Sequence, residues 1–384
     1  MLTGIDHVTM HCRNRPRIEI TEARQVALLT SGAATREELM KQALIVLIVW
    51  AISGSAAARG QGPTQRGSSV LGSRIYKLEE LTWPQIDAFD RQRTLFILPV
   101  GMIEQHGPHL PVGADTIAVT YEANGTSKRL SRELPDWNVV MMPAVNYGQS
   151  GANRLGDMPI HPGTYAIRQS TLRSLVADLG GQIAENGFTW IFVMNGHGAP
   201  THNIALNEAC DFVSETYRVT MLHLTGLFRA DAAIQSSGEK INAKTFSVAD
   251  LSSFGMDVHA GVGETSGILA IRPDLVSPNY RTLPSQAGRS LEELRKIATA
   301  PGWQGYLSSP ARATAAHGKA VEAWWIDGFT DLILRAVHGE NMFVHARVPE
   351  TVPAAVAPML EKELANEAAF GARLENWLVQ RSKR

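Results

Sequence analysis

Twelve consecutive residues, Glu104-Gln105-His106-Gly107-Pro108-His109-Leu110-Pro111-Val112-Gly113-Ala114-Asp115, bring two carboxylates and two imidazoles together. Carboxylate oxygen and imidazole nitrogen are the donors that borderline divalent cations such as zinc and manganese take. Pro108, Pro111, Gly107 and Gly113 suit neither a helix interior nor a strand ladder, so the segment reads as a rigid loop. Two further segments carry the same donors among glycines: Asn195-Gly196-His197-Gly198-Ala199-Pro200 and Asp257-Val258-His259-Ala260-Gly261-Val262-Gly263-Glu264-Thr265-Ser266. Those glycines let backbone approach a ligand or take positive φ. One histidine in such a loop is more often structural than catalytic, and one acid is usually a solvated surface charge. Three such segments together point to pairing or a bound cation, because clustered ionisable groups are not buried unpaired.

Something must hold these loops side by side. Short apolar runs at 94–100, 139–143, 190–195, 219–224 and 268–271 read as buried strands, and helical patterns at 117–130, 167–186 and 203–217 lie between them. A further periodic segment at 78–89 predicts a helix before the first strand. Alternation of this kind gives an α/β fold with a mostly parallel central sheet and helices on both faces. Each donor segment is expected to follow a strand, which gathers all three at the carboxyl end of the sheet, where such folds bind ligands. The tail 354–384 reads as an amphipathic helix, with Met359, Leu360, Leu364, Phe370, Leu374 and Leu378 as its apolar positions. It is expected to pack on the domain or on a partner subunit.

Composition narrows the class. A net charge of −1 over 384 residues, with Lys and Arg scattered, gives no footprint for nucleic acid or an anionic membrane. Two cysteines, Cys12 and Cys210, exclude a disulfide framework. Near the N-terminus, Met40-Lys41-Gln42 leads into the apolar run 43–52 and then small residues to Ala58, the layout of a secretory signal peptide. The run is shorter than the roughly 20 apolar residues of a membrane span. The expected organisation is therefore an upstream extension at 1–39, a signal peptide at 40–58, a flexible Gly/Ser/Gln/Arg leader at 59–74, a domain carrying the donor segments at 75–350 and the tail at 351–384. Export to the periplasm or outside the cell follows, with Cys210 as the mature chain's only thiol.

Glu-Gln-His-Gly-Pro-His-Leu-Pro with Asp115, then Asn-Gly-His, then His-Ala-Gly with Glu-Thr-Ser, resembles the creatininase (creatinine amidohydrolase) family over about residues 75–275. The resemblance implies a three-layer α/β/α sandwich, assembly into homo-oligomers, a pair of divalent cations (zinc, manganese or iron) and hydrolysis of carbon–nitrogen bonds in cyclic or linear amides. It implies metal ligation by Glu104, His106, Asp115 and His197, with Asp115 bridging. It implies that His259 lies over the substrate as proton donor or acceptor. Creatininases carry Asn-Gly-His-Tyr-Glu-Asn at the second segment, and many relatives carry Asn-Gly-His-Gly-Gly-Asn. Here Gly198, Ala199 and Pro200 occupy the last three positions, so the carboxylate of the second metal site is missing. Glu264 is the candidate replacement; its alternative role is to orient His259 or another ligand.

These residues permit a definite mechanism. Cations lower the pKa of a bound water toward 7 and yield a hydroxide that attacks a polarised amide carbonyl. His259 passes a proton to the leaving nitrogen, oriented by Asp257. His109 has no place in this scheme and is expected to be structural. The pocket candidates are softer: Asn146-Tyr147-Gly148, and His161-Pro162-Gly163-Thr164, where Thr164 could cap the helix at 167–186. Trp324 and Trp325 form either a lid or core. The leading reading is a metal-dependent amidohydrolase of a small amide. Alternatives are a formamide hydrolase or peptide-trimming enzyme of the same type, or a metal-binding or ligand-sensing protein without catalysis.

Overall fold

Thr94–Val100 carries no charged residue and every position in it is buried, which only a strand covered on both faces can satisfy. The computed structural model describes residues 74–149, 161–351, 354 and 357–382. The expected extension, signal peptide and leader, except for Arg74, lie outside the described residues. From the N-terminal side the elements are β1 (Ile75–Lys77), α1 (Trp83–Asp87), β2 (Thr94–Val100), α2 (Ala114–Glu133), β3 (Asn138–Met141), α3 (Gln169–Glu185) and β4 (Trp190–Asn195). Then come α4 (Pro200–Tyr217), β5 (Thr220–His223), α5 (Leu224–Ala230), α6 (Ala232–Thr245), α7 (Val248–Phe254) and α8 (Val262–Ile271). The chain finishes with α9 (Leu291–Thr299), α10 (Ala315–Val337) and α11 (Ala357–Arg381).

The five strands are all parallel, in the order β1-β3-β2-β4-β5. Strand pleating sorts β2 into two faces. Leu95 and Ile97 join Phe192, Met194, Val119, Phe228 and Phe329 in one core, while Phe96, Leu98 and Val100 join Val193, Leu172, Val176 and Leu206 in the other. The result is the expected three-layer α/β/α sandwich. After β2 the chain moves to β3 on one side, and after β4 to β5 on the other. That reversal puts a crevice at the carboxyl ends of β2 and β4, the strands that deliver the first two donor segments.

Four local expectations change. Residues 268–271 are not a strand but the last turn of α8, since an apolar run this short does not distinguish a buried strand from a buried helix. The third donor segment therefore follows α7 and leads into α8; it does not leave the sheet. The periodic stretch 78–89 is a 3-10 turn, Leu78–Glu80, followed by the short α1. Pro84 in the first turn of α1 has no amide to continue a helix from upstream, and Thr82 with Gln85 starts a new one through a capping box. An edge strand, β1, extends the sheet with three residues, too few to show alternation. In the tail, α11 leaves Leu364, Phe370, Leu374 and Leu378 each more than two-fifths exposed. Its acids contact the domain, with Glu367 accepting from the Gln169 amide and Glu363 from Gln149 Nε2, and the Phe370 ring lies under the Arg168 guanidinium at 5.2 Å. Among the described residues no helix is long and apolar enough to cross a membrane.

Candidate metal centre

The loop after β2 is built against the start of α2. A side chain on Gly101 would run into Thr116, 2.3 Å from its Oγ1 and 2.6 Å from its Cα, so only glycine lets β2 pass so close to the helix. The Glu104 amide donates to Val112 O at 2.8 Å and closes the loop on itself. Asp115 occupies the first turn of α2, where a carboxylate meets the positive end of the helix dipole. Its Oδ1 lies 3.2 Å from His106 Nε2, and its Oδ2 lies 3.0 Å from His197 Nδ1. Glu104 Oε2 is 3.1 Å from the same His197 nitrogen.

Backbone carbonyls orient the imidazoles. His106 Nδ1 is 2.9 Å from Glu104 O, an acceptor, so that nitrogen carries a proton and Nε2, facing Asp115, is the nitrogen a cation would take in place of its proton. His259 Nε2 is 2.8 Å from Gln105 O, which by the same argument leaves Nδ1 as the free nitrogen, 3.9 Å from Glu104 Oε1. His197 is fixed through its backbone. Asn195 Oδ1 accepts the His197 amide at 2.9 Å, Asn195 Nδ2 donates to His197 O at 2.6 Å, and Asn203 Nδ2 adds a second donor at 3.1 Å.

The third segment closes the site. Ala260 has φ 50°, in the left-handed region unusual for a non-glycine residue, and this turns the chain from His259 into α8. Glu264, in the first turn of α8, accepts from the Ala260 amide at 2.5 Å and sets its Oε2 3.6 Å from His106 Nε2. All five expected ligands thus converge. Their atoms form two donor groups that share Asp115: Glu104, Asp115 and His197, and His106, Asp115 and Glu264, each with its donor atoms within 4.8 Å of one another. Glu104, His106 and His259 make a third group.

The residues fit divalent cations. Three carboxylates meet within this site, and Nε2 of His106, which faces Asp115, is buried without a hydrogen bond. Buried charge of this kind calls for a compensating cation. Without one, protons do the work. Burial alone would lower His106 and His197, but Asp115, Glu104 and, for His106, Glu264 outweigh it and lift both to about 10. Burial would raise Asp115, and the two histidines pull it down instead. Burial pushes Glu264 up to about 7 and His259 down to about 4.

Other expected positions fall elsewhere. Asp257 does not orient His259; its two oxygens accept the Val262 and Gly263 amides at 2.9 and 2.7 Å and cap α8. Thr164 does not cap α3, whose N-cap is Arg168; its Oγ1 accepts the Gln105 amide at 3.1 Å and steadies the ligand loop. His109 bonds Thr265 Oγ1 at 2.9 Å and lies edge-on to Tyr306, outside the donor groups. His161 bonds Trp303 O, and Gly148 packs against His202. Trp324 and Trp325 are core: Trp325 stacks on Phe228 at 3.9 Å, and Trp324 Nε1 donates to Ile234 O. Sequence reasoning passed over Gln105 because glutamine is neither an acid nor a usual metal ligand. Its backbone carbonyl positions His259, and no side-chain pattern encodes that contact.

The family model for Creatininase, creatinine amidohydrolase, matches residues 79–333. The chain belongs to the creatininase family. It is 27% identical over 274 residues to a creatinine amidohydrolase of Pseudomonas putida, covering 66% of this chain and 94% of that protein. It is 30% identical over 280 residues to a mycofactocin precursor peptide peptidase of Mycobacterium ulcerans (strain Agy99), covering 71% and 93%. Among solved structures, a creatininase described as the Mn form superposes with a TM-score of 0.50 at 24% identity, covering 68% of this chain and 98% of that one. A variant described as Zn–Zn type superposes equally well, at 0.50 and 24%, covering 69% and 98%. The structural likeness shows a shared fold. Family membership makes this chain an amidohydrolase.

Proposed function

We propose that this protein is an exported, metal-dependent amidohydrolase that cleaves the carbon–nitrogen bond of a small cyclic or linear amide. One observation carries the reading: Asp115 belongs to both donor groups, Glu104/Asp115/His197 and His106/Asp115/Glu264, as a carboxylate bridging two cations would. Zinc, manganese and iron all suit this mixture of carboxylate and imidazole. When bound, the cations supply Lewis acidity toward an amide carbonyl and a nucleophile from water at neutral pH. Glu264 supplies the carboxylate that Ala199 lacks, from a different element of the fold.

His259 handles the proton. Its Nε2 is engaged by Gln105 O, so Nδ1 exchanges protons with the reacting groups. A histidine held well below its usual value is neutral at pH 7 and ready to accept a proton, which it then gives to the leaving nitrogen as the C–N bond breaks. The peptidase relative and the small residues Gly198 and Ala199 favour a second reading, in which a short peptide is trimmed. Assembly into a homo-oligomer, with the exposed apolar positions of α11 as contact points, belongs to the same proposal.

Metal analysis followed by assay on lactams, formamides and short peptides tests the activity. Turnover of one class with two cations bound is expected, and two bound cations with no turnover on any amide would reduce the chain to a binding protein. N-terminal mass spectrometry of protein from its native cells tests export; a mature N-terminus just after Ala58 supports it, and a chain that retains residues 40–58 would refute it.

A further inference from the structure

Arg229 is a cation that the proposed chemistry leaves unused. It lies near the end of α5, the helix that follows β5, and is only partly buried. Its Nη2 is 3.7 Å from the point where a Cβ on Gly198 would be, so the guanidinium stands over the backbone next to His197. Among the described residues it makes neither an ion pair nor a hydrogen bond. Glu264 and Glu122 are the carboxylates whose charges reach it, with Glu264 the stronger. Burial and the facing Glu322 raise the Glu122 carboxyl well above its ordinary range, which weakens it as a counter-charge. Glu264, in turn, is drawn into the second donor group. A guanidinium offers five N–H donors in a planar fork, and at this partly exposed position they are free of protein acceptors and open to a carboxylate that arrives with the substrate.

We propose that Arg229 binds a carboxylate of the substrate, so that the preferred amide carries a free carboxylate close to the scissile bond, as in an N-acyl amino acid or a short peptide cut near its C-terminus. The proposal rests on the amidohydrolase reading for its chemistry, but the anion site is a separate structural claim. Gly198 is part of it. Any side chain at that position would fill the space between the loop and the guanidinium, and glycine keeps it open for the incoming group.

The test uses matched pairs of substrates, N-acetylglycine with N-acetylglycinamide and glycylglycine with glycylglycinamide, on the metal-loaded full-length protein. Wild type should prefer each acid to its neutral carboxamide. In Arg229→Gln, kcat/KM on the acids should fall about tenfold or more, mainly through KM. The fall on the carboxamides should be much smaller, so that the preference collapses; Arg229→Lys should retain part of it. Which pair is turned over separates the N-acyl from the peptide source. Absence of any acid preference in wild type, or an equal loss on acid and carboxamide in R229Q, overturns the anion site and leaves the amidohydrolase reading standing. If no amide is hydrolysed at all, that reading fails, and calorimetry with N-acetylglycine decides the anion site alone. Binding about tenfold weaker in R229Q supports it, and equal binding refutes it.

Discussion

Asp115 Oδ2 faces His197 Nδ1 across 3.0 Å, joining the first turn of α2 to the loop that leaves β4. The other oxygen of the same carboxylate faces His106, so one side chain serves both donor groups. The variants should therefore differ in stoichiometry. Asp115→Asn should lose both cations, whereas His106→Ala and Glu264→Gln should each lose one, with activity down by about 10²-fold or more in all three. Metal content by mass spectrometry checks this. Two cations retained in H106A or E264Q would break the assignment of that residue.

Metal uptake should release protons. In the metal-free site His106 and His197 are raised to about 10, so both are protonated at pH 7, and a ligating imidazole must be neutral. Apparent affinity should climb as pH rises from 7 toward 10. Titration calorimetry in buffers of different ionisation enthalpy should show net proton release, and identical heats in every buffer would contradict it.

Stability of the metal-free protein follows from the same shifts. A histidine raised from 6.5 to about 10 on folding stabilises fully below 6.5, and that contribution disappears as pH climbs through about 10. His259, lowered to about 4, acts oppositely: its contribution is present above 6.5 and disappears as pH falls toward 4. Chelator-treated protein should melt at its highest temperature near pH 6.5 and lower on both sides. Metal-loaded protein should lack the alkaline decline, because the cations then replace the protons.

Asp257 caps a helix, and the cost of removing it should be structural. Asp257→Ala should lower stability by about 1 kcal/mol through loss of the bonds to Val262 and Gly263. The pH–rate profile should keep its shape. A displaced limb of that profile would instead show that Asp257 tunes His259.

Gly196 marks a contact that admits no side chain. A Cβ there would sit 2.4 Å from the Asp115 carbonyl oxygen. Gly196→Ala should cost about 1–3 kcal/mol and weaken metal binding as well, since the clash separates the loop of His197 from Asp115. Thermal melts and metal titration measure the two effects, and a variant with wild-type values in both would show that this approach is not needed.

Much of this was legible in the residues because it depends on local chemistry. The boundaries of β2 and β4 came directly from uncharged apolar runs that end at glycine, and the donors lie just beyond them. The run at 268–271 misled because four apolar residues span barely one helical turn, too short to show a helical repeat: it ends α8, which packs against α10 with Gly318 close to Ser266. Asp257 was misread because proximity in sequence to His259 suggested a pair, whereas the turn at Ala260 directs its carboxylate into the helix end.

The sequence by itself determined the donor types and their placement after two strands, since these depend on which atoms are present and how the chain is patterned; the class of reaction came from the resemblance of its motifs to a family. Tertiary structure alone decided how the donors are shared. Glu264 is distant in sequence from His106 and Asp115, and only the tertiary placement of α8 brings its carboxylate within reach of both. The same holds for the tautomers of His106 and His259, which backbone carbonyls set, and for Arg229, whose meaning lies in its distance from Gly198. Such relations depend on distances through space between segments far apart along the chain, and a one-dimensional pattern does not carry them.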